Sequence, residues 1–309
     1  MSKTCFVKNG LTLSLLTTLG LTLALPAHAG NSGDEVGSTG TAGTVQTSDS
    51  DSVASGSSTA EAAPEELEKQ SKLSAHYFGI LYGPALKNGS SIQPNGANRE
   101  EGKDLPLSLR NFASVGYALS DTWGTQATAT WDYIPVRGQE LNLRDPYVRI
   151  SNNSIFSTDT LNLYGDVRFH IPVTTLSRDQ DILSGIQTLA IMTYIQPGSR
   201  WTWALYGSSR YNVFGKHGRG NDLELYLGPN FAYQITPSLA FTTLYEMNAT
   251  HHLGQEAMVL NNDGTDLEPG FRWDVTPKVS FNPYVNIYTG NRLNLDSTSV
   301  GATLSWQLL

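Results

Sequence analysis

Four segments of this chain repeat one design, in which alternating apolar and polar residues run into a tight turn and out again. They are residues 115–127, 194–203, 231–241 and 271–281. The turns centre on Ser120-Asp121, Pro197-Gly198, Pro237 and Pro277, and Tyr117, Trp123, Tyr194, Trp201, Tyr233 and Trp273 flank them. Alternation with a period of two gives each strand one apolar and one polar face. Tyr and Trp crowding the strand ends suits a sheet whose apolar face meets lipid and whose ends lie at the membrane interface.

The N-terminus reads as a secretory signal. Lys3 and Lys8 are its positive region, residues 11–25 its apolar stretch, and Ala27-His28-Ala29 its peptidase site, with cleavage expected before Gly30. A membrane anchor fits less well, because the stretch is short and no basic cluster follows it. Cys5 is the single cysteine and lies inside the signal, so the mature chain is expected to have neither disulfides nor thiolate chemistry. It is expected also to lack the cysteine a lipid anchor would use. The formal charge of −8 becomes −10 once Lys3 and Lys8 are lost, a balance that argues against a nucleic-acid partner. No later run of about 20 apolar residues forms a membrane helix. A mean hydropathy of −0.25 is compatible with strands that alternate between lipid and lumen.

Residues 30–63 are rich in Gly, Ser, Thr, Ala and Asp, and are expected to stay disordered, with too little apolar surface to offset ordering entropy. Residues 62–73 carry Pro64 and three early glutamates, which suits a short helix start or a solvated linker; a periplasmic plug or partner-binding segment is the functional alternative. The expected division is therefore a signal at 1–29, a low-complexity periplasmic segment at 30–73, and an all-β domain at 74–309.

In that last region about twelve strands are expected, centred near Phe78, Phe112, Ala129, Val148, Val167, Ile191, Tyr206, Gly228, Thr243, Phe271, Val285 and Leu304. About 20 residues per strand and connection fits strands of about 10 residues crossing a bilayer. The tight turns alternate with longer connections at 86–104, 136–144, 175–184, 215–221, 251–265 and 290–296. Asn152 to Thr158 forms a somewhat long member of the tight class. An even strand count puts both ends of the domain on the short-turn side. A soluble β-sandwich shares the local alternation and is the rival architecture. Pro229, Pro269 and Pro283 fall in mid-strand, where bulges would accommodate them.

These features resemble the outer-membrane β-barrel superfamily of Gram-negative bacteria, over roughly residues 74–309. The signal, the aromatic turns and the terminal strand, residues 299–309, carry the resemblance. That strand alternates Val300, Ala302, Leu304, Trp306 and Leu308, but ends on Leu309, out of phase with the aromatic ending usual in the family. The resemblance implies a transmembrane antiparallel up-and-down barrel in the outer membrane, with lipid and the barrel-assembly machinery as partners.

On the polar face fall Arg110, Arg149, Arg168, Arg210 and Arg272, with Asp132, Asp166, Glu224, Glu246, Glu268 and Asp274. As lumen-lining residues they can form a structural salt-bridge network or a constriction that selects solutes. Arg168 and Glu224 are one conceivable pair. Two functions follow: a channel-like barrel for passive passage of small hydrophilic solutes, or a closed barrel serving envelope structure or surface interaction.

Enzymatic readings are weaker, and no enzyme activity or cofactor is expected. A phospholipase-like site needs an active Ser beside a His, and no compact His-x-Ser arrangement occurs; His76 and His170 sit on strands without an obvious Ser partner. Asp263 and Asp266 read as loop acids beside Gly264 rather than a protease pair. His251, His252 and Glu256 lack convincing metal-ligand spacing, since adjacent strand residues face opposite ways. Residues 215–220 lack the strand–helix context of a phosphate loop and read as a basic loop tip.

Overall fold

The computed structural model describes residues 72–86, 99–100, 103–104, 107–136, 139–256, 259–289 and 298–309. The expected signal and almost all of the 30–73 segment lie outside these residues. Its final residue, Leu73, already belongs to the first strand. In chain order the elements are β1 (Leu73–Ala85), β2 (Arg99–Glu100), β3 (Lys103–Asp104), β4 (Ser108–Ala118), β5 (Trp123–Ile134), β6 (Glu140–Ser157) and β7 (Leu161–His170). There follow α1 (Thr175–Asp179), β8 (Ile182–Ile195), β9 (Trp201–Phe214), β10 (Asn221–Thr236), β11 (Leu239–His252), β12 (Asn261–Thr276), β13 (Val279–Tyr288) and β14 (Thr298–Gln307).

Twelve strands close into one antiparallel barrel, each beside its sequence neighbour, with β1 joining β14 to β4. Closure removes the free edges that a sandwich keeps, and it requires side chains to alternate between inside and outside around the whole wall. The small β2–β3 hairpin lies in the β1–β4 connection.

All twelve expected strand centres fall within barrel strands, and short turns alternate with long connections as expected. The differences are local. The β6–β7 turn is only Thr158–Thr160, because β6 continues to Ser157 past a register shift between Asn152 and Phe156. Within the 175–184 connection the chain folds one helical turn, α1, capped by the Thr174 hydroxyl accepting from the Ser177 N–H at 3.1 Å.

The expected bulges at the mid-strand prolines do not form. Leu227↔Met247 and Asn230↔Leu244 keep one register across Pro229, and Leu267↔Ile287 and Gly270↔Tyr284 keep one across Pro269. Pro283 pairs with Ala302 in unbroken register. All three occupy outward-facing positions and stay paired with one neighbour strand: Pro229 with Leu205, Pro269 with Thr243, Pro283 with Ala302. A proline lacks only its donor, so the ladder opens on one side and the strand runs on.

Outward positions carry exposed large apolar residues, among them Val115, Ile150, Val167, Phe169, Met192 and Leu227. Near the short-turn end the outer wall is aromatic: Tyr117, Trp123, Tyr194, Trp201, Trp203, Trp273 and Trp306 are each between 42 % and 55 % exposed. Several stack side by side. Trp201 lies 4.6 Å from Phe231 and 4.4 Å from Tyr233, ring centre to ring centre. An apolar exterior of this extent is unusual for a surface that faces water.

Candidate functional site: the charged interior

Strand register puts all eleven of the singled-out charged residues on the inward-facing parity. Three cross-strand steps link members of this set directly, Arg110↔Asp132, Arg149↔Arg168 and Arg210↔Glu224, while Glu246 stands opposite a further inward acid, Asp266. The interior then divides into distinct groups.

Between β4 and β6, Asp132 takes two guanidinium groups, Arg110 Nε at 3.1 Å and Arg144 Nη1 at 2.8 Å. Between β6 and β7, Arg168 grips Asp166 with both Nε at 2.9 Å and Nη2 at 3.0 Å. The Tyr164 hydroxyl donates to the same carboxylate at 2.8 Å, and Arg149 Nη1 stands 3.8 Å away. Two-pronged Arg–carboxylate contacts are among the strongest charge-assisted hydrogen bonds. Arg110 and Arg168 each carry a tyrosine ring at 5.4 Å, Tyr82 and Tyr147 respectively.

Further round the wall, Arg210 Nε donates to Asn212 Oδ1 at 3.1 Å, and Asn212 Nδ2 to Glu224 Oε1 at 3.4 Å. Near the short-turn end, Arg272 meets Asp274 at 3.6 Å and donates to Gln234 Oε1 at 3.4 Å. The Arg168–Glu224 pair does not form. Gln187 and Arg210, on β8 and β9, stand between them in the cross-strand row, and each residue finds a nearer partner.

The acids of β11 and β12 differ. Tyr226 donates its hydroxyl to Glu246 Oε1 at 3.1 Å, and Asn286 donates Nδ2 to Glu268 Oε1 at 2.9 Å. Among the described residues neither glutamate has a basic partner. Asp266 joins this group. It is not a loop acid: β12 begins at Asn261 and pairs with β11, so Asp266 sits in the wall opposite Glu246 and is 1 % exposed. The run Asn261-Asn262-Asp263-Gly264 carries turn-forming residues, and pairing with β11 overrides that local preference. The signal was available in the shared parity of Asp266, Glu268, Gly270, Arg272 and Asp274.

Apolar and aromatic side chains pack between these groups. Ile80, Tyr82, Phe112 and Tyr147 form one internal cluster, and Ile191, Tyr206 and Leu244 another. Gly270 and Gly301 make room for Tyr284, since a Cβ at either position would collide with it. On β4, β7, β9, β11 and β13, respectively, Arg110 is 3 % exposed, Arg168 3 %, Tyr206 6 %, Glu246 4 % and Tyr284 8 %. Side chains of the inner wall are thus shielded from water on strands spread around the circumference.

His170 contacts Gln187 Oε1 at 2.9 Å, and Gln187 in turn donates to Ser208 Oγ at 2.9 Å. An amide therefore separates this imidazole from the nearest serine in the chain of contacts, and no base–nucleophile pair exists there. At the long-loop rim, His251 Nδ1 lies 2.5 Å from Asp222 Oδ1, while its Nε2 meets the backbone carbonyl of Glu256 at 3.1 Å. Glu256 thus approaches with its backbone rather than its carboxylate. Among the described residues, no group of three or more His, Cys, Asp or Glu is placed to hold a metal ion. The sequence matches no family model and no curated protein.

Proposed function

We propose that this chain is an outer-membrane barrel of the Gram-negative type, closed at its waist by its own side chains, which serves the envelope through its loop-bearing rim. Of the two functions the sequence leaves open, channel and closed barrel, the geometry supports the second better. The observation that carries this reading is the burial of inner-wall charges such as Arg110, Arg168 and Glu246. A water-filled pore of 16–18 strands leaves such groups wet, whereas smaller barrels fill with side chains. The exposed apolar exterior and the aromatic band support residence in a bilayer, and the leader-like N-terminus supports export. The alternating strand β14 suits recognition by a barrel-assembly machinery. Passage of hydrophilic solutes would require the Asp132 and Asp166 ion-pair groups to move aside.

The test is conductance. Purified barrel added to planar bilayers is expected to give no stepwise current under moderate voltage. Regular, long-lived conductance steps would favour the diffusion channel and reject closure.

A further inference from the structure

Among the inner-wall groups, one holds two glutamates that meet neutral partners and, among the described residues, no arginine or lysine. Leu244, Glu268, Asn286 and Ser299 lie in one cross-strand row from β11 to β14, and Glu246 and Asp266 in the next. Asn286 is 2 % exposed and gives its amide Nδ2 to Glu268, so its Oδ1 belongs to the same cluster; that oxygen has no partner. Directly opposite, Ser299 is 0 % exposed, and its Oγ has no partner either. Buried polar atoms without partners are costly, and a native protein retains them where something else completes them. Here the missing element is a cation. The neutral Tyr226 hydroxyl and Asn286 amide are the groups that meet the two glutamates, the Asn286 carbonyl can only accept, and the Ser299 hydroxyl can turn to donate or to accept.

In the β4–β7 wall, by contrast, Asp132 and Asp166 are each met by arginines. A metal ion is a poorer fit, because among the described residues no three carboxylate or imidazole groups are placed to share one. An ammonium or guanidinium group fits better: it carries several N–H donors, no acceptor, and a positive charge. Glu268 is the partly exposed member of the group and faces the lumen, which gives such a ligand a point of approach.

We propose that the inner wall formed by Glu246, Glu268, Asn286 and Ser299 is a binding site for a small organic amine with more than one N–H donor. This claim goes beyond the closed-barrel reading and does not depend on it, since binding is measured without any transport.

Titration calorimetry of the folded full-length barrel in detergent tests it, with spermidine as probe and Ca²⁺ as comparison. Saturable spermidine binding is expected, weakened at least tenfold by Glu268→Gln and by Ser299→Ala. Asp274→Asn, which lies elsewhere on the inner wall, is expected to leave it unchanged. Heat-dependent migration on SDS gels establishes that each variant is folded, and Ser299→Ala serves should Glu268→Gln fail to fold. Spermidine binding that survives both site variants would assign it to the acidic surface and overturn the proposal. Equal Ca²⁺ binding lost with the same variants would replace the amine by a metal. Absence of any saturable binding would leave the carboxyls as neutral acids completed by water, which also overturns it.

Discussion

Asp166→Ala is expected to destabilise the folded barrel by about 3–5 kcal/mol, because it leaves the buried Arg168 guanidinium without its partner. Arg168, 3 % exposed, loses both arms of its two-pronged contact, and Arg149 loses its nearby counter-charge. The Tyr164 hydroxyl also loses its acceptor. Equilibrium unfolding in urea with detergent or lipid, followed by tryptophan fluorescence, measures the change. A double replacement, Asp166→Leu with Arg168→Met, is expected to recover much of the loss, since removing both charges removes the need for either. A near-neutral Asp166→Ala would mean that water reaches these arginines, and the interior would then be open.

Leu227→Arg tests the opposite face. Leu227 lies near the midpoint of β10, points outward, and is 42 % exposed beside Gly207 and Met247. In a bilayer this change is expected to cost about 2–4 kcal/mol, the range for a basic residue near the midplane of a barrel's lipid face. The same unfolding assay in phospholipid vesicles reads it. A cost under about 0.5 kcal/mol is what a water-facing surface position gives, and it would argue that this wall does not touch lipid.

Period-two alternation made the architecture legible because closure obeys the same period. Leu223, Leu225, Leu227 and Phe231 share one parity, Glu224, Tyr226, Gly228 and Asn230 the other, and that split survives in the folded wall. Partner choice was less legible. Arg168 and Glu224 share a face, yet their separation depends on the register of two intervening strands, which no local pattern encodes. Asp166, two residues away on the same face, was the nearer candidate. Local composition misled at Asp266, where Asn, Asp and Gly favour a turn but the ladder with β11 continues. At the mid-strand prolines the error had the same origin: outward placement and a ladder opened on one side suffice, without an inserted residue. The unpartnered Asn286 Oδ1 and Ser299 Oγ became visible only once β12, β13 and β14 were aligned.

All six tryptophans, Trp123, Trp131, Trp201, Trp203, Trp273 and Trp306, occupy outward-facing positions, and all but Trp131 lie near the short-turn end. Their fluorescence in vesicles made with lipids brominated at different acyl depths therefore tests the membrane assignment directly. Strong quenching overall is expected, greatest for bromines near the headgroups, because five of the six sit in the aromatic band near the short-turn end. Tryptophans that no brominated lipid quenches, but that a water-borne quencher such as iodide reaches freely, would contradict it.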